Sequence, residues 1–331
     1  MGWANPLHLR SQGILGMNRR NVHYIGRYND RRNFPAVDNK LNTKLRARRA
    51  KVAVPDLLHV LHTQRQIEAV VKLIGNLNEF VIKPAQGSGG KGILVITGRE
   101  GGQFMRNNGE LITIKEIKYH LSNIVSGLYS LGGRTDVAII ESLVKFDPLF
   151  NQLSFEGVPD IRLIIFKGYP IMGMLRLATQ ASDGKANLHQ GAVGVGLDIA
   201  SGRSVGAVQF NEPVTEHPDT KHSIEGIQIP YWRNLLLLAA RCYALSDLGY
   251  LGADLVLDQK LGPLLLELNA RPGLSIQIAN REGLLPRLRR IEGLKELHES
   301  IDERVDFAMQ YFTHTPLHSQ TSLWGETHEP D

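Results

Sequence analysis

A single cysteine, Cys242, is all the thiol chemistry available to this chain of 331 residues. One thiol excludes an internal disulfide and a Cys-based zinc site. Its place in an apolar helical pattern reads as core packing. Long apolar runs are missing too. Leu235-Leu236-Leu237-Leu238 is too short and too charge-flanked to cross a bilayer, so no membrane segment is expected. Met1 to Met17 lacks an apolar core behind a basic start, so no signal peptide is expected and cytoplasmic residence is the default. Acids are scarce near the start: from Arg10 to Lys51 only Asp30 and Asp38 interrupt a dense series of Arg and Lys. Such a stretch suits nucleic acid, phosphate ligands or an anionic substrate. No nucleic-acid module accompanies it, so nucleic acid ranks low among the partners. No internal repeat is evident, and the length allows two or three lobes around real cores.

What is abundant is glycine, and its densest cluster lies in Lys83-Pro84-Ala85-Gln86-Gly87-Ser88-Gly89-Gly90-Lys91-Gly92. Apolar runs flank it, Phe80-Val81-Ile82 before and Ile93-Leu94-Val95-Ile96 after. Glycines let a backbone approach an anion closely and aim N–H groups at it. The spacing Gly87-x-Gly89-x-x-Gly92 fits the dinucleotide fingerprint, but that fingerprint must open a helix, and a β-branched strand pattern follows here. The Walker pattern fails because position 85 is Ala and position 92 is Gly. A hairpin whose glycine-rich tip covers nucleotide phosphates remains.

Around the loop, patterning predicts helices and strands in alternation. Asp38 is placed to cap a helix through Lys40, Leu41, Lys44, Leu45 and Arg48. Thr63 with Gln66, and Thr113 with Glu116, have capping-box spacing. The first starts a helix carrying Ile67, Val70, Val71 and Ile74 that Gly75 closes; the second starts one carrying Ile117, Leu121, Ile124 and Leu128. Val137 to Ile140 reads as a buried strand ending at Glu141. Further on, 161–166 and 171–176 read as strands joined at Gly168, 181–196 as a polar glycine-rich loop, 232–248 as a long helix, and 252–257 and 264–269 as strands. Residues 284–312 read as mostly helical. The expected organisation is a basic irregular arm over 1–37, an α+β lobe over 38–143, a second lobe over 144–312 and a disordered tail over 313–331.

The class is decided by carboxylates. Glu267 and Asn269 stand two apart in a strand and share a face, while Leu266 and Leu268 point to the core. If the strand containing Asp254 pairs with theirs, Asp254 joins them. Three oxygen donors at a strand end suit magnesium, and magnesium beside a phosphate cradle suits nucleoside triphosphate chemistry.

At these residues the chain resembles the ATP-grasp superfamily: Lys83-Pro84 with its glycine loop, the Asp254 strand, and Glu267-Leu268-Asn269-Ala270-Arg271-Pro272-Gly273. It looks closest to the RimK-like, α-L-glutamate-ligase-like group, whose D-[IV]-R strand is similar to Asp160-Ile161-Arg162 and whose N-L-H-x-G loop is similar to Asn187-Leu188-His189-Gln190-Gly191. The resemblance implies an α+β fold in which two lobes clamp ATP, and an enzyme of the acid–amino-acid ligase class. Such an enzyme phosphorylates a carboxylate, and an amine then displaces the phosphate to give an amide. The implied cofactors are ATP and one or two Mg2+ ions, with Mn2+ as a substitute. The implied partners are a small carboxylate such as glutamate and an amine or peptide acceptor; a homo-oligomer stays open. The implied ATP contacts are Lys40 (or Lys44), Lys83, the loop Gly87-Ser88-Gly89-Gly90-Lys91-Gly92, the hinge Glu141-Ser142-Leu143-Val144, whose carboxylate and backbone meet the adenine, and Asp147 at the ribose. Asp254, Glu267 and Asn269 would hold the metal. Arg162, Arg176 and Arg271 would neutralise the transferring phosphoryl group, with Asn187 and His189 beside it. One departure stands out: fewer than forty residues precede Lys40, where the family usually has a whole domain. Arg19 and Arg20 are the expected replacement, binding a substrate carboxylate. A phosphotransferase or sugar-transfer-associated enzyme using the same clamp is the first alternative; a non-catalytic ATP- or nucleic-acid-binding protein is the second.

Overall fold

The computed structural model describes residues 6–87, 89–130 and 132–314. Two antiparallel sheets organise it. The first contains β1 (Leu57–Leu61), β2 (Phe80–Pro84), β3 (Leu94–Glu100), β4 (Gln103–Arg106), β5 (Leu111–Ile112) and β6 (Ala138–Glu141), in the spatial order β1-β6-β2-β3-β4-β5. Alternation dictates its core: Phe80 and Ile82 on β2 share a face with Leu94 and Ile96 on β3. That face packs on Ile117, Leu121 and Ile124, which recur at helical spacing on Ile114–Val125. Both capping boxes form; the Glu116 carboxylate accepts from Thr113 N at 2.7 Å, and Gln66 Oε1 accepts from Thr63 N at 3.0 Å.

The second sheet contains β7 (Asp160–Phe166), β8 (Tyr169–Leu177), β9 (Val193–Leu197), β10 (Ser204–Gln209), β11 (Glu212–Pro213), β12 (Tyr250–Asp258) and β13 (Gly262–Asn269), in the order β11-β10-β9-β8-β7-β12-β13. Its central strands β7, β8 and β12 are buried almost throughout, which explains their near-continuous apolar runs. The helix Trp232–Ser246 buries Leu235, Leu238, Ala239 and Cys242 against this sheet.

Several local expectations change. The arm is helical: Met17–Arg19, a six-residue π-helical turn Arg20–Ile25 and Gly26–Tyr28 run on without a break. The π turn breaks the 3.6-residue period, so the apolar pattern is invisible in sequence. The segment is anchored in the second lobe. Tyr28 meets Phe166 edge-on at 4.9 Å, and Asn29 exchanges hydrogen bonds with Tyr250, donating to its carbonyl at 2.7 Å and accepting from its N–H at 2.8 Å. The helix Lys40–Arg49 is capped by Asn39, whose side chain accepts from Asn42 N, while Asp38 closes the short helix before it. Ala47 on that helix belongs to the second core, so the first core begins only at β1. The helix expected from Thr63 splits at Ala69 into Gln64–Glu68 and Val70–Ile74, and Gly75 follows in right-handed conformation. Leu128 lies beyond its helix and is exposed. The 181–196 stretch is a loop only as far as Ala192, where β9 begins. Residues 301–311 are helical as expected, but 294–300 are not. In the expected tail, His314 N donates to Asp198 at 2.6 Å, and residues 315–331 lie outside those described.

Candidate active site

The glycine-rich segment joins β2 to β3 as an antiparallel hairpin. Its shape needs glycine at specific atoms. Gly92 has φ +75, and a Cβ there would fall 2.6 Å from the Tyr129 ring. Gly90, at φ +77, faces the Lys185 side chain of the second lobe, so the tip reaches across the cleft. Lys91 is exposed, and Ser88 lies outside the described residues. The hairpin base is held by Asp136, a residue sequence reasoning missed. Its buried carboxylate accepts from Gln86 N at 3.0 Å, Val137 N at 2.7 Å and Ser130 Oγ at 2.8 Å.

Lys40 opens its helix directly under this hairpin. Its ammonium donates to the Gly87 carbonyl at 2.6 Å and stands 3.6 Å from the Glu267 carboxylate at the end of β13. It thereby ties the glycine-rich hairpin of one sheet to the acidic strand of the other. Lys44, one turn on, does something else. It is buried, donates to the Pro55 carbonyl at 2.6 Å and pairs with Glu141 at 2.7 Å. Lys83 pairs with the other oxygen of Glu141. The Glu141 carboxylate, expected at an adenine, is therefore sealed between two ammonium groups with its side chain 5% exposed. Burial alone would push this carboxyl up, but Lys83 and then Lys44 hold it below its ordinary value. Burial also pulls the Lys44 ammonium down, although Glu141 opposes that, because one carboxylate serves two cations. Past Glu141 the chain crosses between lobes. Ser142 pairs with Asp56 through its N–H and its hydroxyl, both at 2.9 Å. Val144 packs on Val256 and Leu264 with Leu143 half-buried beside it, and Asp147 caps a turn by accepting from Leu149 N at 3.0 Å.

The acids and arginines of the second sheet meet through register. Asp254 lies opposite Glu267 on one side and Arg162 on the other, and Arg176 lies opposite Asp160. Directly opposite residues share a face, so all five point together. Arg162 forks onto Asp254 at 2.7 and 2.5 Å, and Arg176 bridges Asp254 at 2.7 Å and Asp160. Asp254, expected at the metal, accepts three hydrogen bonds from the two arginines. Burial raises a carboxyl, but Arg162 and Arg176 hold this one far below the carboxylate range. Burial, with Arg176 opposing and Asp254 adding, leaves Asp160 raised to about 6. The Arg271 guanidinium stacks over Phe34 at 4.7 Å. Arg20 donates to the Pro272 carbonyl at 2.9 Å and to Asn21, so it braces the 269–273 turn. Asn187 caps its own turn by accepting from His189 N at 3.0 Å, and His189 is exposed.

Among the described residues no group of three His, Cys, Asp or Glu side chains is placed to hold a metal. The expected donors Asp254, Glu267 and Asn269 nonetheless sit together at one end of the β12–β13 pair. Glu267, 40% exposed, and Asn269, whose Oδ1 accepts from Arg271 N at 2.9 Å, keep oxygen lone pairs free at the cleft. Magnesium held by one or two protein oxygens together with substrate phosphates fits that pair.

A family model described as sugar-transfer associated ATP-grasp matches residues 19–293. The chain belongs to this ATP-grasp family. The match takes in both sheets, the hairpin and the helical segment from Arg19. No curated protein matches the chain. Among solved structures, ATP-grasp ligase PsnB complexed with minimal precursor is similar at 15% identity and TM-score 0.43, over 85% of this chain and 63% of that one. D-alanyl-alanine synthetase A from Vibrio cholerae is similar at 12% identity and TM-score 0.45, over 85% of this chain and 66% of that one. D-cycloserine synthetase DcsG is similar at 13% identity and TM-score 0.42, over 83% and 71%. This ATP-grasp chain thus spans less than two thirds of the first two.

Proposed function

We propose that this ATP-grasp protein is an ATP-dependent ligase that joins a carboxylate to an amine through an acyl phosphate. The observation that carries the reading is Lys40, held between the Gly87 carbonyl and the Glu267 carboxylate. A cation fixed at that junction, under a hairpin that reaches the other lobe, suits the phosphates of a bound nucleotide. In the reaction, a carboxylate oxygen attacks the γ-phosphorus and ADP leaves. The amine then adds to the acyl carbon, and phosphate leaves with a proton from the amine as the C–N bond forms. Lys40 and the hairpin N–H groups would bind and orient the phosphates, and Arg176 would face the developing charge from a position fixed by Asp160 and Asp254. Glu267 and Asn269 would hold the magnesium, which supplies charge neutralisation on the phosphate oxygens when bound. Lys83, secured to Glu141, keeps positive potential at the root of the hairpin. The α-L-glutamate-ligase likeness, carried by Asp160-Ile161-Arg162 and Asn187 to Gly191, suggests an amino acid such as glutamate as one partner. We assign 57–141 to the nucleotide-covering lobe, and the remainder, with the helical arm, to the lobe that holds metal and acceptor.

The family description favours a second reading, in which the same clamp passes the γ-phosphoryl group to a sugar-bearing acceptor. Screening amino acids, amines and sugars for magnesium-dependent ADP release separates the two. Release that needs both a carboxylate and an amine, with an amide product by mass spectrometry, supports the ligase. A stable phosphorylated product from one acceptor defeats it.

A further inference from the structure

Beside the arginine cluster lies a cavity of about 170 Å³ that neither ATP nor the metal pair accounts for. Its wall at Leu188 rests on Gly194, where a Cβ would lie 2.7 Å from Leu188 Cδ2, and Gly194 is the register partner of Arg176. The cavity is therefore one strand from the groups proposed to handle the phosphoryl transfer. Its far side is the tip of the β10–β11 hairpin. Gln209 pairs with Glu212, so Phe210 and Asn211 form a two-residue turn, with φ +52 and φ +68. Such turns take Asn or Gly at both centres, and a bulky residue with positive φ is a genuine outlier. Phe210 is nevertheless held there, 60% exposed, and Gly191 makes room for it: a Cβ on Gly191 would lie 2.6 Å from Phe210 Cζ. The Gly191 carbonyl is pinned by Thr179 Oγ1 and Gln209 Nε2, both at 2.9 Å.

We propose that Phe210 is a stacking platform for the ring of an uncharged sugar, which this cavity holds as part of the acceptor. The inference rests on the reading of the neighbouring cleft as the ATP site. The lining contains no Asp, Glu, Lys or Arg. A free carboxylate or ammonium group would therefore find no ion partner on the lining. A purely aliphatic group would make no use of the polar side chains His189, Asn211 and Ser275 on the lining. A sugar ring meets both demands, with C–H groups against the aromatic face and hydroxyls toward the imidazole, amide and hydroxyl. This is the usual balance of a small-molecule site, an apolar surface with a few placed polar groups.

The test is saturation-transfer NMR on the full chain with methyl N-acetyl-β-glucosaminide, methyl β-glucoside, L-glutamate and L-leucine, with ADP as a reporter of the cleft. Transfer to glycoside ring protons is expected, retained in Phe210→Tyr and at least tenfold weaker in Phe210→Asn. Asparagine suits the left-handed turn better than phenylalanine, so the Tm of Phe210→Asn should hold or rise while binding is lost. Unchanged glycoside binding in Phe210→Asn overturns the proposal, as does a signal from leucine or glutamate with none from either glycoside. ADP signal without glycoside signal defeats this inference alone; absence of ADP signal defeats the ATP reading itself.

Discussion

Replacing Glu141 with glutamine separates a structural role from an adenine-contacting one. The carboxylate is 5% exposed, and its two partners Lys44 and Lys83 are 6% and 15% exposed at the side chain. Removing its charge leaves two ammonium groups facing each other, with only neutral acceptors, the new amide oxygen and the Pro55 carbonyl at 2.6 Å from Lys44. Breaking a buried pair in this way costs about 3–5 kcal/mol. At roughly 1.4 °C per kcal/mol for a chain of 331 residues, Tm should fall by about 4–7 °C. The pH dependence follows from Lys44, whose folded value burial already lowers. Without Glu141 it falls further, so Lys44 sheds its proton more readily folded than unfolded, and the deficit shrinks as pH rises from 7 to 9. Lys44→Met should be mild alone, because Glu141 keeps Lys83, and the double variant should be more stable than additivity predicts by about 1–3 kcal/mol. Thermal melts of the four proteins at two pH values are the assay. A Glu141→Gln melt within 1 °C of wild type, with ATP affinity lost, would refute the reasoning and return the carboxylate to the nucleotide base.

Glu267→Ala should lower magnesium-dependent ADP release at least about 100-fold while leaving stability within about 0.5 kcal/mol, since the side chain is half-exposed; a melt and a coupled ADP assay read both. Gly92→Ala forces a Cβ into the Tyr129 ring at φ +75, so it should destabilise by about 1–3 kcal/mol. Gly89→Ala, at φ +62 with open space around it, should cost less than Gly92→Ala in the same urea titrations. Asp160 is raised to about 6, so its neutral form contributes stability that is complete below pH 4 and lost as pH climbs through 6. Asp160→Asn should therefore flatten the fall in Tm between pH 4.5 and 7.

The period-2 and period-3.6 signals were enough for the sheets and the main helices, because Phe80/Ile82, Leu94/Ile96 and Ile117/Leu121/Ile124 each bury one face. They were also enough to place Glu267 with Asn269. They could not give the ion clusters. Lys44, Lys83 and Glu141 come from three separate elements, and Asp160, Arg162, Arg176 and Asp254 meet only through the register of β7, β8 and β12. Register follows from packing partners, which a single strand's pattern does not name. The pairing of Asp254 with Arg162 and Arg176, and the stacking of Arg271 over Phe34, therefore carried no signal in the sequence. The arm failed for a local reason, the π turn at Arg20–Ile25. Asp136 carried no signal, since an acid before a strand looks like any loop residue.

The central claim is that this ATP-grasp clamp activates a carboxylate for an amine. Positional isotope exchange measures that most directly. ATP labelled with 18O at the β,γ-bridge is incubated with magnesium and a panel of amino-acid carboxylates, without amine. The account predicts scrambling of the label only when a carboxylate is present, and amide with ADP once an amine is added. Scrambling or ADP formation that ignores the carboxylate and instead tracks a hydroxyl acceptor would contradict it.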